Sequence, residues 1–157
     1  MQEFAAPEQI ARFDWDLVMP LLAAAFFSGV VGFEREIRRK PAGLRTNILI
    51  GVGAALFTAL AMTLPDPNAS SRIMQGIITG VGFIGAGVLI RGSGGVQGTT
   101  TAATIWLVTG IGVACGMGLY RMASAVTTLA LIVLWGLSPL DKRLHRVQEN
   151  ADRDPDD

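Results

Sequence analysis

The chain has 157 residues, of which 50% are hydrophobic, 19 are glycine and 17% are charged, and its mean hydropathy is +0.44. A soluble domain carries about 25% charged residues, so this composition excludes a disordered chain, a nucleic-acid-binding arm and a disulfide-stapled secreted module, and favours a membrane protein. The 13 basic and 13 acidic residues cancel, and the single cysteine, Cys115, leaves no internal disulfide and no multi-cysteine metal knuckle.

In chain order, residues 1–16 hold Glu3, Glu8, Asp14 and Asp16 against one Arg12. A signal peptide starts with a basic region, so this acidic segment predicts a retained first span and no cleaved leader. Five apolar stretches follow: Leu17–Phe33, Ile48–Leu64, Ile73–Ile90, Ala102–Tyr120 and Met122–Leu140, each 17 to 19 residues long. A hydrocarbon core about 30 Å thick takes about 17–25 helical residues. A soluble bundle would instead show a polar stripe at helical period, and Ile48–Leu64 and Met122–Leu140 have none. The expected fold is an all-α membrane protein with five transmembrane helices over residues 17–140. Residues 1–16 then form an outer segment and residues 141–157 a mixed-charge tail.

Lys and Arg beside the spans set orientation. With the N-terminus outside, the inner segments hold ten basic residues (Arg35, Arg38, Arg39, Lys40, Arg45, Arg91, Lys142, Arg143, Arg146 and Arg153) and the outer ones only Arg12, Arg72 and Arg121. The C-terminus is therefore expected to be cytoplasmic, and the Pro65–Asn68 turn external.

Small residues recur on single helical faces: Gly29 and Gly32 in the first span, Gly76 and Gly80 in the third, Gly112 and Gly116 in the fourth. Helices in lipid associate by close van der Waals packing, so these faces are predicted helix–helix contacts and suggest a homodimer. The fifth span is bulkier (Leu129, Leu131, Ile132, Leu134, Trp135), as a lipid-facing helix would be. Trp15, Trp106 and Tyr120 fall near expected span ends, where amphipathic rings prefer the interface. Gly80–Gly85 matches GxGxxG, but it lies inside an apolar span with no carboxylate before Asp141. Helix packing explains it better than a dinucleotide.

The loop after the first span, Gly32–Thr46, contains Glu34–Arg38 and Glu36–Lys40 at i,i+4 spacing, which extends the helix beyond the membrane until Pro41 stops it. Arg35, Arg38, Arg39 and Lys40 suit anionic lipid headgroups. Arg45 and Thr46 stand where the chain re-enters the membrane, with Glu34 the nearest carboxylate for Arg45. Glu34 and Glu36 are the only acidic candidates for a cation site there. The second loop, Arg91–Thr101, is glycine-rich and followed by Thr104. Two readings stand: an anion nest of backbone amides, or a flexible turn with Thr100 or Thr101 as hydroxyl N-cap. Gly32, Gly43 and Thr46 match Gly87, Gly98 and Thr101 at a constant offset of 55, as a parallel helix-pair repeat would.

The text of these loops and spans resembles the MgtC/SapB family of bacterial inner-membrane proteins. The similarity lies in Gly32–Glu36, Lys40–Thr46, Gly53–Phe57, Gly80–Arg91 and Thr101–Trp106, in the family's order. It implies a five-span membrane domain with the N-terminus outside, and a link to survival in low magnesium and inside host cells. Some family members restrain the F-type ATP synthase. Many add a cytoplasmic ACT-type domain, which is not expected in a chain ending at Asp157. Some carry an asparagine where this chain has Thr100.

Three functions compete. The first is a non-enzymatic membrane regulator acting by helix contact, with membrane lipid, a second copy and a complex such as the F-type ATP synthase as partners, and without cofactor or nucleic acid. The second is a cation transporter or channel with a cytoplasmic-side site at Glu34. Asp66 is the only carboxylate between Glu36 and Asp141, and Mg²⁺ usually takes one or two carboxylates, so the regulator ranks first. A membrane enzyme is weakest: the lone His145 sits in the tail, outside any catalytic grouping. The residues expected to matter at the cytoplasmic rim are Glu34, Arg35, Arg45, Thr46, Arg91, Thr100, Thr101 and Thr104.

Overall fold

A computed structural model of the chain describes residues 15–92 and 95–136. The outer segment up to Asp14, the end of the fifth expected span and the tail therefore lie outside the described residues. Five helices appear: α1 (Trp15–Ile37), α2 (Leu44–Met62), α3 (Pro67–Val88), α4 (Thr99–Gly116) and α5 (Tyr120–Gly136). Among the described residues three segments are long and apolar enough to cross a membrane: Val18–Ile37, Leu44–Met62 and Thr99–Gly116. Helix α3 has 22 residues but opens with Asn68, Ser70, Ser71, Arg72 and Gln75. Helix α5 is apolar and 17 residues long.

One expectation is corrected. The second loop is an antiparallel β-hairpin, β1 (Ile90–Gly92) with β2 (Gly95–Gln97), Arg91 paired to Val96. The fold is thus helical with a two-stranded appendage. Pairing the two strands satisfies backbone amides and carbonyls that the end of α3 leaves without helical partners.

The helix ends have local causes. Helix α1 runs past Phe33, as the Glu34–Arg38 spacing predicts, but it stops before Pro41 acts. Arg39 adopts φ 53, Arg39 N–H donates to Glu36 O and Lys40 N–H to Arg35 O, the paired bonds of a Schellman cap. Helix α4 ends in the same way, with Gly118 at φ 73 and Leu119 N–H donating to Ala114 O. Asp66 caps α3 by accepting from Asn68 N–H, with Pro67 in the first turn. The expected hydroxyl cap of α4 is absent: its N-cap is Gly98, at φ 88. There a Cβ would lie 2.5 Å from Val88 O, so the hairpin's return onto α3 admits glycine only.

Packing follows the small residues. On the α1–α2 seam Ser28 lies against Gly51, Gly32 against Asn47, and the Glu36 carboxylate against Gly43. Each pairing moves four residues up one helix and four down the other, the signature of an antiparallel pair. Gly112 sits on the Gly51 carbonyl and Ala54, and Gly116 on Ala55 O and Thr58. Here both numbers rise together, so α2 and α4 run parallel. Gly51 thus takes Ser28 from one side and Gly112 from the other. Helix α4 touches all four other helices, and α3 packs chiefly on α4 and α2. The core is built of Ala24, Val31, Ala55, Val108, Ile111, Ala114, Cys115, Ala123 and Ala130, small enough for close helix approach. Helix α5 turns Ala123, Thr127 and Ala130 inward, while Leu129, Ile132 and Trp135 remain 60–63% exposed.

The expected contact role of Gly76 and Gly80 is not met within one copy. A Cβ at either would touch nothing within 4 Å. Both border an open apolar groove of about 550 Å³ between α2 and α3, with Leu49, Phe57 and Ile84 among its walls. Trp106 lies well inside α4 rather than at its end, because that helix starts at Thr99. The GxGxxG residues are helical, within α3 and with no strand before them among the described residues.

Candidate functional site

The polar residues singled out in the sequence gather at one end of the bundle. There α1 ends, α2 begins, α3 ends and α4 begins, held together by Ala42, Val81 and Ile105, with Ile50 and Val88 against them. Four elements therefore contribute to one rim.

Its centre is an ionic knot at the end of α1. Glu34 and Arg35 are 4% and 2% exposed. Arg35 Nε donates to Glu34 Oε2, and Arg38 Nε lies 2.6 Å from Glu34 Oε1, one helical turn on. A carboxylate and a guanidinium buried together avoid the cost of either charge alone, and Arg38, about one-third exposed, adds a second positive charge. Glu34 is thus committed to Arg35 and Arg38 rather than to Arg45, which is exposed in the first turn of α2 beside exposed Thr46.

Glu36 does not reach for Lys40. Its Oε2 accepts the Leu44 N–H at 2.9 Å, so a side chain of α1 caps α2, an anion at the positive end of a helix. The contact needs glycine at 43, since a Cβ there would overlap the carboxylate. Asn47, fully buried, donates from Nδ2 to the carbonyls of Ala42 and Gly43, both at 2.8 Å. These bonds fold the connecting turn back onto α2.

Across the rim, Thr101 and Thr104 are buried, and Thr104 Oγ1 donates to Thr100 O. That bond satisfies the Thr104 hydroxyl within its own helix instead of presenting it to a ligand. Thr100 is exposed. The backbone of Arg91 is in β1. Among the described residues no three His, Cys, Asp or Glu side chains group as a metal site. Glu34 is held by two arginines and Glu36 by the Leu44 N–H, so the two carboxylates engage different partners.

Sequence reasoning missed Asn47, a polar residue inside an apolar helix, which is itself a signal; Ser28 stands on the small-residue face of the first span with Ala25, Gly29 and Gly32, and meets Gly51 there. Ser28 Oγ and Asn47 Oδ1 are buried with no hydrogen-bond partner, and both lie on the α1–α2 seam.

A family model described as the MgtC family covers residues 21–143. Protein MgtC of Salmonella choleraesuis (strain SC-B67) is 40% identical over 135 residues, 86% of this chain and 58% of that protein. Protein MgtC of Brucella abortus (strain 2308) is 41% identical over 120 residues, 76% of this chain and 50% of that protein. The chain therefore spans about half the length of the curated relatives it matches. No solved structure matches it.

Proposed function

The chain belongs to the MgtC family, and from that premise we propose that it is a five-span regulator of the bacterial inner membrane, linked to magnesium homeostasis and non-enzymatic. In this reading the N-terminus faces outward, supported by the ten-to-three distribution of basic residues. The protein acts through helix contacts with a second copy and with a membrane complex such as the F-type ATP synthase.

One observation carries the reading. Among the described residues the buried charged side chains are Glu34 and Arg35, which pair with each other while Arg38 also holds Glu34, and between Glu36 and Asp141 the sole carboxylate is the exposed Asp66. A cation crossing α2 to α5 would meet no acidic step. The unpartnered faces of Gly76 and Gly80 supply what contact needs, a helix surface that another helix can approach closely.

A second reading, transport of Mg²⁺ or another cation past Glu34, draws on buried oxygens without hydrogen-bond partners at Ser28 and Asn47, two of those on the described residues. Purified full-length protein in liposomes loaded with a Mg²⁺-sensitive dye separates the two. Regulation predicts no flux above empty liposomes, together with a change in ATP-driven proton pumping when the protein is added to inverted membrane vesicles. Robust flux lost in Glu34→Gln would establish transport instead.

A further inference from the structure

We infer that the groove between α1 and α5 is a binding site for an anionic phospholipid, with one acyl chain between the helices and the phosphate beside the basic end of α1. The groove measures about 590 Å³ and is lined by Val30, Phe33, Ile37, Leu131 and Trp135, with Glu34 and Arg38 at its polar end. That volume falls in the range of about 300–1,000 Å³ usual for small-molecule sites. The walls leave much apolar surface uncovered: Phe33, Ile37 and Trp135 are each about 60% exposed.

Charge complementarity selects the occupant. Next in the chain after Arg38 come Arg39 and Lys40, both exposed. The Schellman cap ends the helix there, with Arg39 in the left-handed region. Glu34 does not reverse the sign, because Arg35 and Arg38 both pair with it. The site is thus an apolar trough ending in net positive charge, which matches a hydrocarbon tail joined to an anionic head. A transmembrane helix from another protein would fill the trough but leave the cations unanswered. Basic pockets beside membrane helices generally select anionic headgroups, with each Lys or Arg near the surface contributing about fivefold in affinity. The inference rests on α1 and α5 facing lipid; it does not depend on which partner complex the protein regulates.

Trp135 is a reporter inside the site. In full-length protein carrying Trp15→Phe and Trp106→Phe, the remaining tryptophan fluorescence is measured in vesicles of phosphatidylcholine doped with bromine-labelled phosphatidylglycerol or bromine-labelled phosphatidylcholine. Occupancy by an anionic lipid predicts half-maximal quenching at about fivefold lower mole fraction of the phosphatidylglycerol, or better, and loss of that preference in Arg39→Gln/Lys40→Gln. Helical circular dichroism and elution volume, unchanged in the double variant, separate this loss from misfolding. Equal quenching by both lipids would overturn the proposal and leave only unselective boundary lipid. So would quenching that appears only after residues 137–157 are removed, which would make the chain's own tail the occupant. Preferential quenching without Mg²⁺ flux or effect on proton pumping would keep the lipid site while rejecting the regulatory reading.

Discussion

Glu34 and Arg35 are adjacent in sequence and almost fully buried, and neither is tolerable in that position without the other. Removing one partner of a buried ion pair costs about 3–5 kcal/mol because it strands the remaining charge. Glu34→Gln should therefore lower the unfolding temperature in detergent sharply, and Glu34→Gln/Arg35→Gln should recover much of the loss. A double variant as unstable as the single would show that the pair matters through shape rather than charge. Gly43 makes a second residue-scale case. Gly43→Ala would drive a methyl into the Glu36 carboxylate and release the Leu44 N–H. Loss of such a cap costs about 0.5–2 kcal/mol. Thermal unfolding should show a drop of that size, and Glu36→Gln, which keeps an acceptor oxygen, a smaller one.

Helices differ in what their glycines do. Gly112 faces the Gly51 carbonyl and Ala54, whereas Gly80 faces open space. Gly112→Ala should thus separate α2 from α4 and destabilise the bundle by about 1–3 kcal/mol, the usual cost of overpacking. Gly80→Ala should be neutral or stabilising by up to about 1 kcal/mol, since alanine favours helix. The comparison is read from thermal unfolding in detergent. Bulkier change sharpens it: Gly80→Leu should leave folding intact and weaken contact with a partner, seen as altered elution volume or lost effect on proton pumping. If Gly80→Leu changed neither, the open face of α3 would have no part in assembly. The sequence marked Gly76–Gly80 and Gly112–Gly116 alike as small faces, and one copy satisfies only the second. The reason lies in position: α4 is central and touches every other helix, while α3 leaves an open groove against α2 where Gly76 and Gly80 lie.

At the scale of the whole molecule, orientation is the next quantity to measure. The native cysteine, Cys115, is fully buried, so single exposed cysteines report side without background. Ser71→Cys, beside the α2–α3 turn, should react with an impermeant thiol reagent in intact cells. Lys40→Cys, at the end of α1, should react only after the membrane is opened. The reverse pattern would place the N-terminus inside and invert the rim. The helix-pair repeat gains meaning at this scale as well. Gly43 and Gly98, 55 residues apart, are the N-cap positions of α2 and α4, and those two helices run parallel. The equivalence stops at the caps, however: Gly43 has φ −86 and Gly98 φ 88, because a hairpin rather than a tight turn leads into α4.

What the sequence by itself determined was set by solvent and by local geometry. Long apolar runs specify helices that lipid accepts, the Glu34–Arg38 spacing specifies that α1 continues past its apolar run, and small residues specify that helices approach closely. These are properties of a segment and its surroundings, so they can be read one segment at a time. Only the tertiary structure decided which faces met. The Glu36 cap on α2, the Asn47 clasp on Ala42 and Gly43, the choice of Arg35 and Arg38 over Arg45 as partners of Glu34, and the hairpin replacing a hydroxyl cap all depend on the angle at which one helix returns beside another. A few ångströms in that approach determine whether a carboxylate finds a backbone amide or a guanidinium, and no spacing along the chain encodes that distance.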